Sequence, residues 1–347
     1  MTGAVSLKPD LGRYGVWLAT RSIKPELAAR IESLGYGAAW IGGSPDAELA
    51  WVEPALAQTT SLQLATGIVN IWSAPAPAVA EAFQRIENAY PGRFLLGVGV
   101  GHPEHTQEYV KPYDALVGYL DELDAAGLPT SRRVLAALGP RVLQLAAERS
   151  AGAHPYLTTP EHTAKAREQV GGSVFLAPEH KVVLTTDRDK ARAAGREVVD
   201  HYLGLSNYVN NWLRLGFTES DVRKPGSDKL IDAVVAYGTP EDIAKRLGEH
   251  LQAGADHVAI QVLPSSRTCS LPRSKPRQAV NRCARCASAP TRSARPSPTP
   301  KSSARATTSC STFPGSTTPP SPTSIRSSWS PTRSSARNIP ARTSAKR

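Results

Sequence analysis

A run of alternating glycines that leads into a histidine is the clearest candidate for chemistry in this chain. Gly97, Gly99 and Gly101 alternate along an apolar run, and His102 and Pro103 follow directly. Glycine has no side chain, so a flat ligand can approach the backbone there, and a histidine can transfer protons near neutral pH. The same glycines also fit tight packing at the corner of a sheet. The spacing is not the dinucleotide-binding fingerprint, which needs a helix after its glycines.

Two further glycine-containing segments could hold a ligand. Gly67 interrupts an apolar run that ends at Asn70, which favours a bulge and a side-chain amide beside a ligand. Leu138 and Gly139 precede Pro140, where a predicted helix begins, and the N–H groups at a helix start bind phosphate. An ordinary strand end and an ordinary turn explain the same two segments.

The sequence lacks the patterns of several other enzyme classes. It has no paired-carboxylate site, no histidine cluster at metal-ligand spacing, no G-x-S-x-G and no phosphate loop of the nucleoside-triphosphatase type. These absences disfavour hydrolase and metalloenzyme functions.

The elements that position these motifs alternate between strands and helices. Eight β-rich runs are predicted as strands: Tyr14–Ala19, Ala38–Gly42, Leu62–Asn70, Arg93–Val100, Arg133–Ala137, Gly152–Leu157, Lys181–Thr185 and His257–Leu263. Helices are predicted to begin at or near Pro25, Pro77, Pro140, Pro160 and Pro240, because proline suits the first helical turn. Eight strands with crossover helices predict an α/β fold, a (β/α)8 TIM barrel, whose reactive face lies at the carboxyl ends of the strands. The segment 200–237 exceeds one crossover and predicts a helical insertion before strand eight.

Charge divides the chain into two parts. The last 83 residues, 265–347, carry 16 of the 41 basic residues and none of the 30 acidic ones, so residues 1–264 are mildly acidic. We expect a barrel over residues 1–264 and a disordered basic tail over residues 265–347, since the tail has little apolar side chain to bury. Our hypothesis for the tail is a reading-frame slip, and an RNA-binding arm is the functional alternative. Cys283 and Cys286 form a lone pair without a second pair at zinc spacing.

No run of apolar residues approaches the roughly 20 that a membrane-spanning helix needs. The N-terminal residues show no secretion signal. We therefore expect a cytoplasmic protein with no membrane partner, and with no nucleic-acid partner through its folded domain.

Taken together, the strand-end segments resemble the luciferase-like monooxygenase superfamily, and most closely its coenzyme F420-dependent oxidoreductase branch. The resemblance extends over residues 10–263. Its most specific parts are residues 64–72, residues 91–104 and residues 136–140 together with 151–156. Each segment alone is weak evidence for the resemblance. The order of the segments and their placement at strand ends make the resemblance specific.

The resemblance implies an F420 site at the carboxyl ends of the strands, with a small-molecule substrate over the deazaflavin ring. A bulge with a non-proline cis peptide at Gly67–Ile68 would support the ring, and backbone amides would hold the ribityl-phosphate part. The implied cofactor-binding residues are Gly67, Ile68, Val69, Asn70, Gly99, Val100, Gly101, Ala137, Leu138, Gly139, Gly152 and Ala153. His102 is the candidate catalytic residue, as proton donor or acceptor. Trp40 and Trp72 either wall the substrate pocket or belong to the core.

The chain departs from the family pattern at two positions. Sugar-phosphate dehydrogenases of this branch have a histidine after strand two and a glutamate after the strand-four glycines, where this chain has Gly43 and His102. The expected function is therefore an F420-dependent oxidoreductase acting on a small organic molecule other than a sugar phosphate. The alternatives are an FMN-dependent luciferase-like monooxygenase and a non-catalytic cofactor-binding protein. Family members often dimerise, so a homodimer is possible.

Overall fold

The computed structural model describes residues 8–101 and 111–264, which all belong to one unit of the fold, residues 1–273. His102 and the basic tail after residue 264 lie outside the described residues. Within the described ranges, every helix is too short or too polar to span a membrane.

The framework of the fold is a parallel sheet of short strands. In chain order the strands are β1 (Tyr14–Leu18), β2 (Ala38–Ile41), β3 (Gln63–Thr66), β4 (Val69–Asn70), β5 (Phe94–Gly99), β6 (Arg133–Leu135), β7 (Gly152–Ala153), β8 (Phe175–Leu176), β9 (Glu179–Val183), β10 (Val235–Tyr237) and β11 (Val258–Val262). Their order in the sheet is β10-β9-β11-β1-β2-β3-β5-β6-β7-β8, and β4 pairs with β5. Every pairing is parallel, as crossover helices require.

The sheet curls into a barrel because β8 and β9 are two halves of one strand. The N–H of Ala177 donates to Ala153 O (2.9 Å) and the N–H of Glu179 donates to Pro155 O (2.8 Å), on either side of Pro178. Proline has no N–H, so the regular ladder breaks at that residue. Through β9 and β11 the sheet then returns to β1, and the predicted (β/α)8 architecture is confirmed.

Ten helices follow or join the strands in the described ranges. They are α1 (Pro25–Ser33), α2 (Val52–Leu56), α3 (Ala76–Ala89), α4 (Pro112–Ala125), α5 (Pro140–Arg149), α6 (Pro160–Val170), α7 (Arg188–Tyr202), α8 (Ser206–Arg214), α9 (Asp228–Val234) and α10 (Pro240–Gln252). The predicted starts at four prolines are confirmed, and α3 begins one residue before Pro77. Thr239 and Asp242 form a capping box at α10. Helices α8 and α9 lie in the predicted insertion.

The strand prediction differs from the structure in four places. The sixth predicted strand, Gly152–Leu157, ends at Ala153 as β7. The third predicted strand is divided into β3 and β4 at Gly67 and Ile68. The seventh begins at Glu179 instead of Lys181 and is preceded by β8, a pair of residues too short to give a periodic signal. Strand β10 was not predicted, because it follows α9 without a turn residue and its small apolar residues continue a helical pattern.

Two apolar layers hold the barrel. Inside it, Trp17, Trp40, Leu95, Val134 and Phe175 pack together. Outside it, alternate strand residues pack against α1 to α6, since side chains of a strand point to opposite faces. Apolar packing on both faces of the sheet therefore supports the strands whose carboxyl ends carry the motifs.

Candidate active site

A cavity of about 540 Å³ opens at the carboxyl ends of the strands, a volume typical of cofactor sites. One wall comes from strand ends and from the turn before α5. The other comes from Tyr156 and from the end of α7 and α8, where Tyr202, Tyr208 and Arg214 contribute side chains. The cavity therefore lies where a barrel enzyme carries its chemistry.

Eight of the twelve predicted cofactor-binding residues line this cavity: Gly67, Ile68, Asn70, Val100, Gly101, Ala137, Leu138 and Gly139. Their sequence positions span residues 67–139, and the curled sheet brings them to one side. The structure thus places three strand ends together as the order of motifs predicts. Their contact with a cofactor stays a prediction.

The other four predicted residues pack behind the cavity wall. Val69 and Ala153 are fully buried in the layer between the sheet and the helices. A Cβ on Gly99 would lie 2.9 Å from Ala136 Cβ, and one on Gly152 would lie 1.8 Å from Phe175 O. These two glycines thus permit close packing of strands, which is the alternative explanation for a glycine in a strand.

The bulge between β3 and β4 is fastened to β5. The Gly67–Ile68 peptide bond is cis, as the family resemblance implies. Thr66 Oγ1 accepts a hydrogen bond from the N–H of Gly97 (2.7 Å) and donates one to Gly97 O (2.9 Å). A Cβ at Gly97 would lie 1.9 Å from Thr66 O, so only glycine fits there. The backbone of this wall is therefore fixed by its neighbouring strand.

A cationic side chain faces the start of α5. Arg214 lines the cavity from α8, and a Cβ on Gly139 would lie 3.6 Å from its Nη2 atom. Among the described residues its guanidinium has one hydrogen-bond partner, Asn211 Oδ1 at 3.3 Å, and no carboxylate in ion-pair distance. Partial burial lowers the pKa of Arg214. A helix start and an arginine together favour an anionic group such as a phosphate.

Tyrosines form the opposite wall above a buried ion pair. Tyr202 OH donates to Tyr156 OH (3.2 Å), which donates to Gln261 Oε1 (2.9 Å). Lys181 Nζ lies 3.8 Å from the centre of the Tyr156 ring and 3.0 Å from Glu179 Oε1. Burial raises the pKa of Tyr156 well above 10, so its phenol stays protonated and can donate a hydrogen bond.

Glu179 and Lys181 are both fully buried. Burial raises the pKa of Glu179 and lowers the pKa of Lys181, because an interior of low dielectric constant disfavours each charge. Glu179 Oε2 also accepts the N–H of Leu157 at 2.9 Å. The ion pair supports the tyrosine wall because Lys181 packs against the ring of Tyr156.

His154 lines the cavity and is almost fully buried. Its ring stacks on Trp40 with the centroids 4.1 Å apart, and its Nδ1 lies 2.6 Å from Ala177 O. Burial lowers the pKa of His154 to about 4, so the imidazole is neutral at pH 7. Trp40 itself is fully buried and donates from Nε1 to His257 Nε2 (3.0 Å), which places it in the core.

The remaining candidate residues have different positions. Trp72 does not line the cavity, and its Nε1 donates to Val100 O at 2.8 Å, which steadies the end of β5. Gly43 lines the cavity with a positive φ of 71°. His102, the catalytic candidate, lies outside the described residues, so its role stays a prediction.

Sequence reasoning missed the side chains that α7 and α8 contribute. The length of the insertion was the available signal, and it indicated helices near the catalytic face without indicating which residues face inward. Tyr202, Tyr208 and Arg214 reach the cavity because α7 and α8 pack over the strand ends.

Comparison with known proteins finds similarity to one family over part of this chain. Residues 20–126 match the model of the luciferase-like monooxygenase family. A curated relative, 5,10-methylenetetrahydromethanopterin reductase of Archaeoglobus fulgidus, is 26% identical over 255 residues, covering 58% of this chain and 77% of that protein.

Solved structures share the fold at low sequence identity. An F420-dependent secondary alcohol dehydrogenase in complex with an F420-acetone adduct matches with a TM-score of 0.56 at 16% identity, over 74% of this chain and 94% of that one. The coenzyme F420-dependent tetrahydromethanopterin reductase of Methanopyrus kandleri matches with a TM-score of 0.51 at 16% identity, over 72% and 92%. The oxygenating constituent of 3,6-diketocamphane monooxygenase of Pseudomonas putida, in complex with FMN, gives 0.53 at 13% identity, over 72% and 92%. With its barrel, its bulge at residues 67–70 and its strand-end cavity, this chain is similar to the luciferase-like monooxygenase family, whose model matches residues 20–126.

Proposed function

We propose that the protein is an F420-dependent oxidoreductase that transfers a hydride between C5 of the deazaflavin and a small, uncharged organic substrate. The observation that carries this proposal is the cavity itself, which combines a backbone-lined bulge on one side with a helix start and an arginine on the other. The curated relative, a methylenetetrahydromethanopterin reductase, favours a reductase over an oxygenase.

The described residues fit a flat cofactor that carries a phosphate. Gly67 and Gly101 present backbone rather than side chain to the cavity, which leaves a smooth wall beside Ile68. Leu138 and Gly139 provide N–H groups at the start of α5, where a helix leaves its first amides unpaired. Arg214 supplies the positive charge at the same end. Gly67 and Ile68 of the bulge would hold the ring, and the start of α5 together with Arg214 would hold the phosphate.

In this reaction the protein would position the substrate, exclude water and supply hydrogen bonds. When bound, the deazaflavin supplies a carbon that accepts or releases a hydride. Tyr156, Tyr202 and Tyr208 form an aromatic wall that keeps water from the reacting atoms. His102 is proposed as the group that gives or takes the accompanying proton.

The charges of the cavity limit the class of substrate. Among the described residues that line it there is no carboxylate, and Arg214 is the one permanently charged cation. A cofactor phosphate would take that cation, which leaves none for a phosphate on the substrate. At Gly43 the positive φ and the backbone of Thr20, 3.2 Å from a would-be Cβ, disfavour any larger residue. Both observations favour an uncharged substrate over a sugar phosphate.

A fluorescence titration of the full-length protein with F420 and separately with FMN tests this function. We expect micromolar binding of F420 and no binding of FMN, followed by turnover in a screen of alcohols, ketones and imines. Binding of FMN and not of F420 would instead favour an FMN-dependent monooxygenase. Binding of F420 without turnover of any donor or acceptor would favour a cofactor-binding protein that is not an enzyme. Binding of neither cofactor to a folded protein would contradict the site assignment.

A further inference from the structure

Among the described residues that line the cavity, three buried polar atoms have no hydrogen-bond partner: Trp17 Nε1, His154 Nε2 and, on α8, Asn207 Oδ1. The first two belong to residues that are 6% and 2% exposed overall. Both side chains line the cavity. Buried polar groups are nearly always paired in folded proteins, so an unpaired pair at a cavity points to a ligand.

The hydrogen-bonding roles of the two atoms are fixed and opposite. An indole nitrogen only donates. His154 Nδ1 lies 2.6 Å from Ala177 O, and a carbonyl oxygen only accepts, so Nδ1 carries the ring proton. In the neutral ring, Nε2 then holds a lone pair and only accepts. Trp17 and His154 therefore offer one donor and one acceptor.

The two atoms lie around a common point. A Cβ built on Gly67 would lie 2.5 Å from Trp17 Nε1 and 3.3 Å from His154 Nε2. The two nitrogens are thus no farther apart than the sum of those distances, which is about two hydrogen-bond lengths. Both nitrogens therefore lie beside Gly67, close to each other.

Close packing holds both rings in place. A Cβ on Gly42 would lie 2.2 Å from Cη2 of Trp17, so the indole lies between Gly42 and Gly67. The ring of His154 is stacked on Trp40 at an interplanar angle of 8°. Because neither ring has room to turn away, the donor and the acceptor are preorganised.

We propose that Trp17 and His154 form a subsite for a hydroxyl group of the substrate. The hydroxyl oxygen accepts the hydrogen bond from Trp17 Nε1, and its proton is donated to His154 Nε2. The Tyr156 ring, whose centroid is 5.0 Å from that of Trp17, packs against the carbon skeleton of the same molecule. A site of this kind discriminates strongly against analogues that lack the hydroxyl. The subsite implies that the substrate of the proposed function carries a hydroxyl group. Its role in turnover rests on that proposed function. Binding of a hydroxyl compound to the subsite can nevertheless be measured without the cofactor.

The test uses full-length protein with 15N in its tryptophan and histidine side chains, and three probes: cyclohexanol, cyclohexanone and methylcyclohexane. We expect millimolar cyclohexanol to shift both the Trp17 Nε1 and the His154 Nε2 resonances. Cyclohexanone, which accepts but cannot donate, should shift Trp17 alone, and methylcyclohexane should shift neither. His180 Nε2 and Trp51 Nε1 are internal controls, because they are also buried and unpaired but lie outside the cavity.

Variants test the same contacts by affinity. Trp17→Phe and His154→Phe each remove one hydrogen-bonding atom and keep an aromatic ring, and we expect each to weaken cyclohexanol binding about fivefold. Trp51→Phe is the matched control and should leave binding unchanged. Where a variant fails to fold, the resonances of the native protein decide the question.

Several results would overturn the subsite. Absence of a shift in both resonances, or equal shifts with methylcyclohexane, would contradict it. Resonances already hydrogen-bonded and unmoved by cyclohexanol would show that a buried water occupies the position. If F420 alone shifts both atoms and blocks cyclohexanol, the pair contacts the cofactor, and the proposed function survives while the subsite fails. If cyclohexanol shifts both atoms in a protein that binds no F420, the subsite stands and the proposed function fails.

Discussion

The two walls of the cavity are built in different ways. The strand wall, at residues 67–70, 97–101 and 136–139, presents mostly backbone and small residues that hydrogen-bond to neighbouring strands. The insertion wall, from Tyr202 to Arg214, presents long side chains on two helices. The strand wall therefore sets the shape of the cavity through its backbone. The insertion wall supplies the polar and aromatic side chains that can contact a ligand. Substitutions in the first should damage folding, and substitutions in the second should change binding.

The largest expected effect is on the strand wall. Gly97→Ala would bring a Cβ to 1.9 Å from the carbonyl oxygen of Thr66, which is backbone and cannot turn away. We expect a loss of at least about 3 kcal/mol in the free energy of unfolding, or insoluble protein. Urea unfolding measures it. Gly118→Ala is the control, since nothing lies within 4 Å of its Cβ and alanine favours a helix. Equal stability of the two variants would mean that the strand wall is not rigid.

The second prediction concerns the buried ion pair of Glu179 and Lys181, which packs against Tyr156. Lys181→Met leaves Glu179 buried without its cation, and should cost about 3–5 kcal/mol in unfolding free energy. The double variant Glu179→Gln with Lys181→Met should recover a large part of that loss, since no charge is then buried alone. A urea-unfolding cycle of the four proteins checks this. If the double variant is no better than Lys181→Met, the cost comes from lost packing against Tyr156 instead.

The third prediction is a pH dependence. Burial lowers the pKa of His154 to about 4, of His257 to about 4 and of His250 to about 3. In the unfolded chain each titrates near its ordinary value of 6.5, so between about pH 4 and 6.5 the unfolded state binds protons that the folded state does not. Stability from these groups is complete above pH 6.5 and is lost as the pH falls toward 4.

At pH 5 each of these histidines should cost roughly 2 kcal/mol relative to pH 7. Urea unfolding at the two pH values measures the difference. His250→Gln, which removes one titrating group on α10, should flatten the dependence. An unchanged midpoint between pH 7 and pH 5 would contradict the prediction and would require charged histidines inside the barrel.

The smallest expected effect is on the insertion wall. Arg214→Met should weaken F420 binding about tenfold or more, because one charge-assisted contact to phosphate is lost. Its unfolding free energy should change by less than about 0.5 kcal/mol, since the side chain is exposed. Arg141→Met is the matched control: Arg141 lies in the first turn of α5 but stacks on Tyr113 at 3.9 Å and does not line the cavity. Equal loss of affinity in both variants would mean that Arg214 acts only through the overall charge.

The two walls also differ in how far the sequence predicts them. For the strand wall the signals are local: a glycine interrupts an apolar run at Gly67, and a proline marks the start of α5. For the insertion wall the sequence indicates helices, and the helical period of α8 marks a buried face but not the strand ends that this face covers. Strand β10 escaped prediction for a related reason, since its pairing with β9 decides its conformation more than its own residues do.

The sequence by itself determined the alternation of strands and helices, the starts of five of the ten helices in the described ranges, and the break of the third predicted strand at Gly67. Each of these depends on residues close together in the chain, where backbone preference and side-chain periodicity act directly. Only the tertiary structure decided that Tyr202 and Arg214 would line the same cavity as the bulge, and that Trp17 and His154 would both lie beside Gly67. These contacts between distant segments depend on how the sheet curls and how the insertion packs over it. No local sequence pattern encodes the distances between such residues.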